Sequence, residues 1–182
     1  AASDPVLLEK GKCGDNVTWS VYSNPDDGSA YMVIEGNGAM YNDAYEEPWR
    51  KYADKVTFIT VRIGVTHIGS YAFRNFSKLG GISLWSTVES IGAKAFENCT
   101  SLKRARTDNV KTFGTSAFGG CTSLTSVGIN NATEIGDRAF AGTAIASVDL
   151  SKVTELEEWA FSDCKQLASV TLPKGGTTIP QS

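Results

Sequence analysis

Six carboxylates of this chain stand in adjacent pairs, Asp26-Asp27, Glu46-Glu47 and Glu157-Glu158, and paired carboxylates are the machinery of acid–base hydrolysis. That chemistry needs two carboxyls held across a cleft at a set separation, with substrate between them. Neighbours in sequence project in different directions, so no pair supplies the geometry by itself. Asp26-Asp27 also lies within Asn24-Pro25-Asp26-Asp27-Gly28, where Asp favours a turn. His67, the only histidine, falls in an extended piece between Thr66 and Ile68, and spacing suggests no Ser or Cys partner for it. Cys13, Cys99, Cys121 and Cys164 form no CxxC pair and no Cys/His cluster, so neither a zinc site nor a redox motif is drawn. No catalytic residue, metal or cofactor is expected.

A different chemistry is offered by Lys103, Arg104 and Arg106, with Trp85 on the preceding corner and Asp108 just after. Cations beside an exposed aromatic suit an acidic protein loop, or a sulfated or sialylated glycan, through charge-assisted bonds and stacking. The competing reading is that the charges only keep a sheet edge soluble.

What positions these residues is a repeat. Ile68-Gly69-Ser70-Tyr71-Ala72-Phe73 recurs at Ile91, Phe113, Ile135 and Leu156, with steps of 23, 22, 22 and 21 residues and a further 23 to Ile179. A period in the low twenties means a solenoid, whose units bury their apolar sides only by stacking on neighbours. Each unit ends in LxxVxL, which alternates as a short strand does, and a second extended piece precedes each Gly. The xxAFxx stretch between them reads as a helical turn or two, which makes the array an α/β repeat solenoid of about five units. Cys99, Cys121 and Cys164 share one slot with Phe76 and Thr143. Such a slot is interior and suits buried thiols; cysteines stacked there would have parallel Cβ vectors, which suit a disulfide poorly. The outward slots of the strands form two rows. One is Gly81, Arg104, Ser126, Ser147 and Ser169; the other is Ser83, Arg106, Gly128, Asp149 and Thr171. Asp149 therefore joins Trp85, Lys103, Arg104, Arg106 and Asp108 as a candidate binding residue.

Residues 1–55 lie outside the repeat. Val17 to Tyr22 and Tyr31 to Glu35 read as a β-hairpin around the Asn24–Gly28 turn. Tyr45 to Asp54 suits a short helix with Pro48 in its first turn. Trp19, Tyr22, Tyr45, Trp49 and Tyr52 would cover the bare flank of the first coil, so the chain divides into a cap over 1–55 and repeats over 56–182. Ile179-Pro180-Gln181-Ser182 opens like another unit, so the array is expected to continue past Ser182.

Composition sets the outer bounds. A net charge of −3 offers no basic field for nucleic acid, and no apolar run approaches the roughly 20 residues of a membrane span. Ala1 to Pro5 lack the regions of a signal peptide and read as a mature or trimmed start. Four Asn-x-Ser/Thr sequons, at Asn16, Asn75, Asn98 and Asn131, matter only on a eukaryotic secretory route.

The phrase IGxxAFxxCxxLxxVxLP, carried by Ile91–Leu102, Phe113–Ile129 and Leu156–Pro173, resembles the BspA-like class of leucine-rich repeats. Cys13–Trp19, Gly36–Met40 and Pro48-Trp49 resemble the cap of such proteins. The second unit departs from the pattern, with Ala105 and Thr107 in place of Val and Leu. The resemblance implies a bacterial protein that is secreted or displayed on the cell wall and binds a host or neighbouring-cell protein or glycan without catalysis. A carbohydrate-binding module using Trp85, or a spacer for another domain, are the alternatives. Oligomeric state leaves no trace in the sequence.

Overall fold

The computed structural model describes residues 3–42 and 47–175. The chain begins with β1 (Val6–Lys12), β2 (Val17–Ser23), β3 (Ala30–Gly36) and β4 (Gly38–Ala39). From there strands alternate between two sheets. The front sheet takes β5 (Val56–Val61), β7 (Gly81–Leu84), β9 (Arg104–Arg106) and β11 (Ser126–Val127). The back sheet takes β6 (Val65–Ile68), β8 (Ser90–Ile91), β10 (Thr112–Phe113), β12 (Glu134–Ile135) and β14 (Glu155–Leu156), with β4 beside β6. β13 (Ser147–Asp149) and β15 (Ser169–Thr171) pair with each other. All pairings within the array are parallel, because each coil retraces the path of the one before.

The β2–β3 hairpin forms as read, antiparallel from Val17↔Gly36 to Ser23↔Ala30. β3 then pairs in parallel with β5, so hairpin and array share one seven-stranded sheet in the order β1-β2-β3-β5-β7-β9-β11. Trp19 and Trp49 are buried, with ring centroids 5.4 Å apart, and Trp49 lies 6.3 Å from Phe73, the first ring of the array. Tyr22 instead stacks on Tyr31 at 5.2 Å. Tyr45 and Glu46, like the unit opening at Ile179, fall outside the described residues.

Between the sheets and the turns runs the core. Phe73, Phe96, Phe118, Phe140 and Phe161 form one column, with centroids 5.3, 5.1, 5.6 and 5.4 Å apart. The first four are fully buried, and each buried ring stabilises by roughly 2–3 kcal/mol. Cys99, Cys121 and Cys164 are buried free thiols, each bonded through Sγ to the Phe carbonyl of the preceding coil. Burial pushes the Cys99 thiol up, and the Cys13 thiol up to about 12; protonated thiols are poor nucleophiles. The departures at Ala105 and Thr107 are absorbed: both are buried, and the Thr107 hydroxyl donates to Gly128 O at 2.7 Å.

The α/β expectation is wrong. The stretches read as helical turns contain no helix, and the only helix among the described residues is a 3-10 turn, Pro48–Tyr52, where a cap helix was expected. The reason lies in the backbone. In each turn two residues take positive φ, Tyr71 and Asn75, then Lys94 and Asn98, Ser116 and Gly120, Arg138 and Gly142, Trp159 and Asp163. Every second peptide group of the turn then runs along the stack, and the groups between them close short turns within the coil. The N–H groups of Lys94, Phe96 and Asn98 donate to Thr115, Ala117 and Gly119 of the next coil, while the carbonyls of Ala93, Ala95 and Glu97 accept from Tyr71, Phe73 and Asn75 of the previous one. Backbone groups committed between coils cannot close helical hydrogen bonds within a coil.

The count of units also changes. β5, β7, β9, β11, β13 and β15 are six successive rungs, because the strand Val56–Val61 ahead of the first Ile-Gly is itself a rung. The front ladder is interrupted once, between β11 and β13. The unit opening at Ile135 is one residue short there, and Ala144 N–H to Leu124 O, 3.0 Å, still joins the coils. The back ladder runs on unbroken to β14.

Candidate functional site

Lys103, Arg104 and Arg106 reach the surface because β9 alternates: Ala105 faces the core and both arginines face solvent. They border a shallow hollow of about 670 Å³ on the front sheet. Its floor is Gly80, Gly81 and Ile82 of the preceding rung, and its far wall is Phe58. A Cβ on Gly81 would lie 2.9 Å from Phe58 Cε2, so the Phe58 ring occupies the space over that strand. Among the described residues, none of the three cations forms an ion pair, whereas Arg62 is matched by Glu35 at 2.7 Å and Lys111 by Glu89 at 2.9 Å.

The remaining candidates separate from this cluster. Trp85 is 53 % exposed, at the corner after β7, with its N–H on Val61 O at 3.1 Å; it does not line the hollow. Asp108 lies at the corresponding corner after β9, its carbonyl accepting from Asn131 Nδ2 at 2.6 Å. Asp149 lies on β13, beyond the ladder break, and lines a second hollow of about 450 Å³ with Ser126, Ser147 and Thr171. Its carboxylate accepts from Ser151 N at 2.9 Å, and hydrogen bonds from Ser151 hold its pKa below the usual value. That is the work of a turn-closing residue.

Sequence reading missed Phe58. Strict alternation would send it inward after the buried Val56, but a register shift opposite Ala30/Tyr31 turns it out, 41 % exposed. It also missed the partner of His67. Nδ1 lies 2.7 Å from Ser90 Oγ and Nε2 lies 2.8 Å from Asn42 Oδ1, with the Nδ1 contact spanning 23 residues; that separation is one repeat, and was the signal available. The arrangement is a clamp. Asn42 Oδ1 also accepts from N and Oγ of Ser70, and a neutral amide cannot stabilise an imidazolium as a carboxylate does. Burial lowers the His67 pKa. Of the acidic pairs, Asp27 accepts from Ser29 N at 2.8 Å within its turn, and Glu157 accepts from Asp137 N of the preceding coil at 2.9 Å, both ties to backbone. Among the described residues no group of His, Cys, Asp and Glu is arranged to hold a metal ion.

Parallel rungs, a stacked apolar column and a strand face open to solvent define a leucine-rich-repeat solenoid. The chain belongs to the BspA type leucine rich repeat region, which it matches over residues 51–168 in six copies. Solved structures share the fold. A leucine-rich repeat protein from Eubacterium ventriosum is 21% identical with a TM-score of 0.66, covering 92% of this chain and 44% of that one. One from Bacteroides ovatus is 27% identical with a TM-score of 0.60, covering 88% and 41%. A leucine rich cell surface protein from Faecalibacterium prausnitzii is 22% identical with a TM-score of 0.52, covering 98% and 58%. The chain thus spans less than half the length of the first two. No curated protein matches it.

Proposed function

We propose that this protein is a non-catalytic recognition module, secreted or displayed at a bacterial cell surface, and that it binds a host or neighbouring-cell protein through its front sheet. One observation carries the reading: three cations without ion pairs among the described residues stand around an open hollow on a sheet that inter-coil hydrogen bonds hold in place. A floor already ordered before contact lowers the entropic cost of a broad interface. The surface location is supported by the description of the Faecalibacterium prausnitzii structure as a cell surface protein. No helix among the described residues is long and apolar enough to cross a membrane.

The test is the double variant R104A/R106A, immobilised beside the parent protein and exposed to purified host extracellular proteins. Stability is expected to stay within about 0.5 kcal/mol, as for exposed positions generally, while capture is lost. Unchanged capture removes the cations from the site. A glycan array with and without Trp85→Ala covers the sugar-binding alternative: Trp85-dependent sugar binding would replace the protein reading.

A further inference from the structure

The register of the front sheet draws one outward row across its strands. Leu7 stands opposite Tyr22, Tyr22 opposite Tyr31, Tyr31 opposite Phe58, Phe58 opposite Gly81, and Gly81 opposite Arg104. The adjacent row of Val21, Met32, Ile59, Ile82 and Ala105 is buried, which fixes the first row as facing out. The outward row is not uniform. Its cap half is apolar and aromatic, with Leu7 and Phe58 exposed and Tyr22 stacked on Tyr31. Its array half is cationic, at Arg104 with Arg106 two residues along the same strand. Between the halves lies Gly81, whose missing side chain leaves room for the Phe58 ring at the edge of the hollow.

From this juxtaposition we infer that the front sheet takes an extended, amphipathic acidic segment of a partner protein, laid across the strands with apolar side chains toward Tyr31 and Phe58 and carboxylates toward Arg104 and Arg106. The inference rests on the reading of this sheet as a protein-binding face and gives that partner its chemistry. Five strand spacings separate Leu7 from Arg104, about 24 Å, which an extended segment of about seven residues spans. Guanidinium forks match carboxylates in a bidentate fashion. The neighbouring acids are already engaged, Glu35 by Arg62 and Glu9 by Lys51, and no ion pair joins the arginines to Asp108. A sulfated glycan is the weaker occupant. It would use only the cationic half of the row and leave exposed Leu7 and Phe58 uncovered.

The experiment titrates three probes into the isotope-labelled full chain and follows backbone amides by NMR. One probe is a peptide of about nine residues with leucine and valine at one end and glutamates at the other. The second carries lysines in place of the glutamates, and the third is a heparin-derived octasaccharide. Expected are saturable shifts at Phe58, Gly81 and Ala105 with the acidic peptide alone. The affinity should fall about tenfold or more in R104A/R106A, fall again in Phe58→Ala, and weaken with salt. Melting temperatures of the variants show that each still folds. An acidic peptide indifferent to R104A/R106A, or an octasaccharide moving the same amides more strongly, overturns the inference. If R104A/R106A abolishes surface capture while the acidic peptide moves none of these amides, the surface reading stands and this occupant is wrong. If neither responds, both fall.

Discussion

The two ends of the turn column face opposite problems and meet them differently. All its inter-coil peptide groups point one way, carbonyls toward the cap and N–H groups toward the C-terminal coil. The column therefore carries an aligned dipole, negative at the cap end, by the same logic as an α-helix. At that end the cap supplies donors: Trp49 Nε1–H reaches Ala72 O at 2.8 Å, and the Arg50 guanidinium reaches Arg74 O and Tyr71 O at 3.4 and 2.5 Å. The indole N–H and the guanidinium thus cover Ala72 O and Arg74 O, two carbonyls that a preceding coil would have covered, while Tyr71 O also accepts from Arg74 N within its own coil. At the other end the N–H groups of Trp159, Phe161 and Asp163 occupy the donor positions, and among the described residues nothing accepts from them. Trp159, Val170 and Leu172 are exposed there. The comparison teaches that in this solenoid a cap has a polar duty as well as an apolar one: at the first coil it must supply the donors that a preceding coil would supply.

The largest effect that sharpens the contrast comes from the ring column. Phe96→Ala, which removes a ring packed on both sides, is expected to cost about 3–5 kcal/mol in denaturant unfolding. Phe161→Ala, at the half-buried end, should cost less than half of that; equal costs would mean that the last coil is as well packed as the middle. Next comes the donor at the cap. Trp49→Phe keeps an aromatic ring and leaves Ala72 O without its buried partner, at about 1–3 kcal/mol. Removing the exposed ring at the far end, Trp159→Ala, should change stability by no more than about 0.5 kcal/mol.

Smaller and confined to acid is the His67 clamp. Burial holds its folded pKa below the ordinary 6.5, so the folded state binds fewer protons than the unfolded one in the window beneath that value. The stability it contributes is complete above pH 6.5 and declines as pH falls toward the folded pKa. Melting temperature should therefore drop more steeply between pH 7 and 5.5 in the parent than in His67→Gln, and parallel profiles would exclude the clamp. The smallest effect is diagnostic by sign. Arg138 is exposed and has positive φ, so Arg138→Gly should raise stability by about 0.5 kcal/mol; in a helix interior the same change would lower it by about 0.5–1 kcal/mol.

Much of this was legible in the sequence, and what was not has physical causes. The period and the column Phe73 to Phe161 gave the stacked coils directly, because a buried aromatic at constant spacing has no other use. The turns were misread because Ala-Phe flanked by Tyr71, Lys94, Ser116 or Arg138 is compatible with a helix and signals no positive φ. The second left-handed slot did carry a signal, since Asn75, Asn98, Gly120, Gly142 and Asp163 are the residue types that tolerate it. Of the site, the arginines were readable from strand alternation. Phe58 was not, because a register shift lies in hydrogen bonding with another strand and leaves no local mark. Trp85 is exposed, but it stands at the corner after β7 while the arginines stand on the face of β9, and it does not line their hollow.

Site-resolved amide hydrogen exchange tests the column most directly. Lys94, Phe96, Asn98, Ser116, Phe118 and Gly120 should exchange slowly, near the rate of global unfolding, while Trp159, Phe161 and Asp163 exchange at rates close to those of an open chain. Fast exchange at Phe96 and Phe118, or protection at Phe161 equal to theirs, would contradict a one-directional ladder that is closed at the cap and whose N–H groups at Trp159, Phe161 and Asp163 meet no acceptor among the described residues.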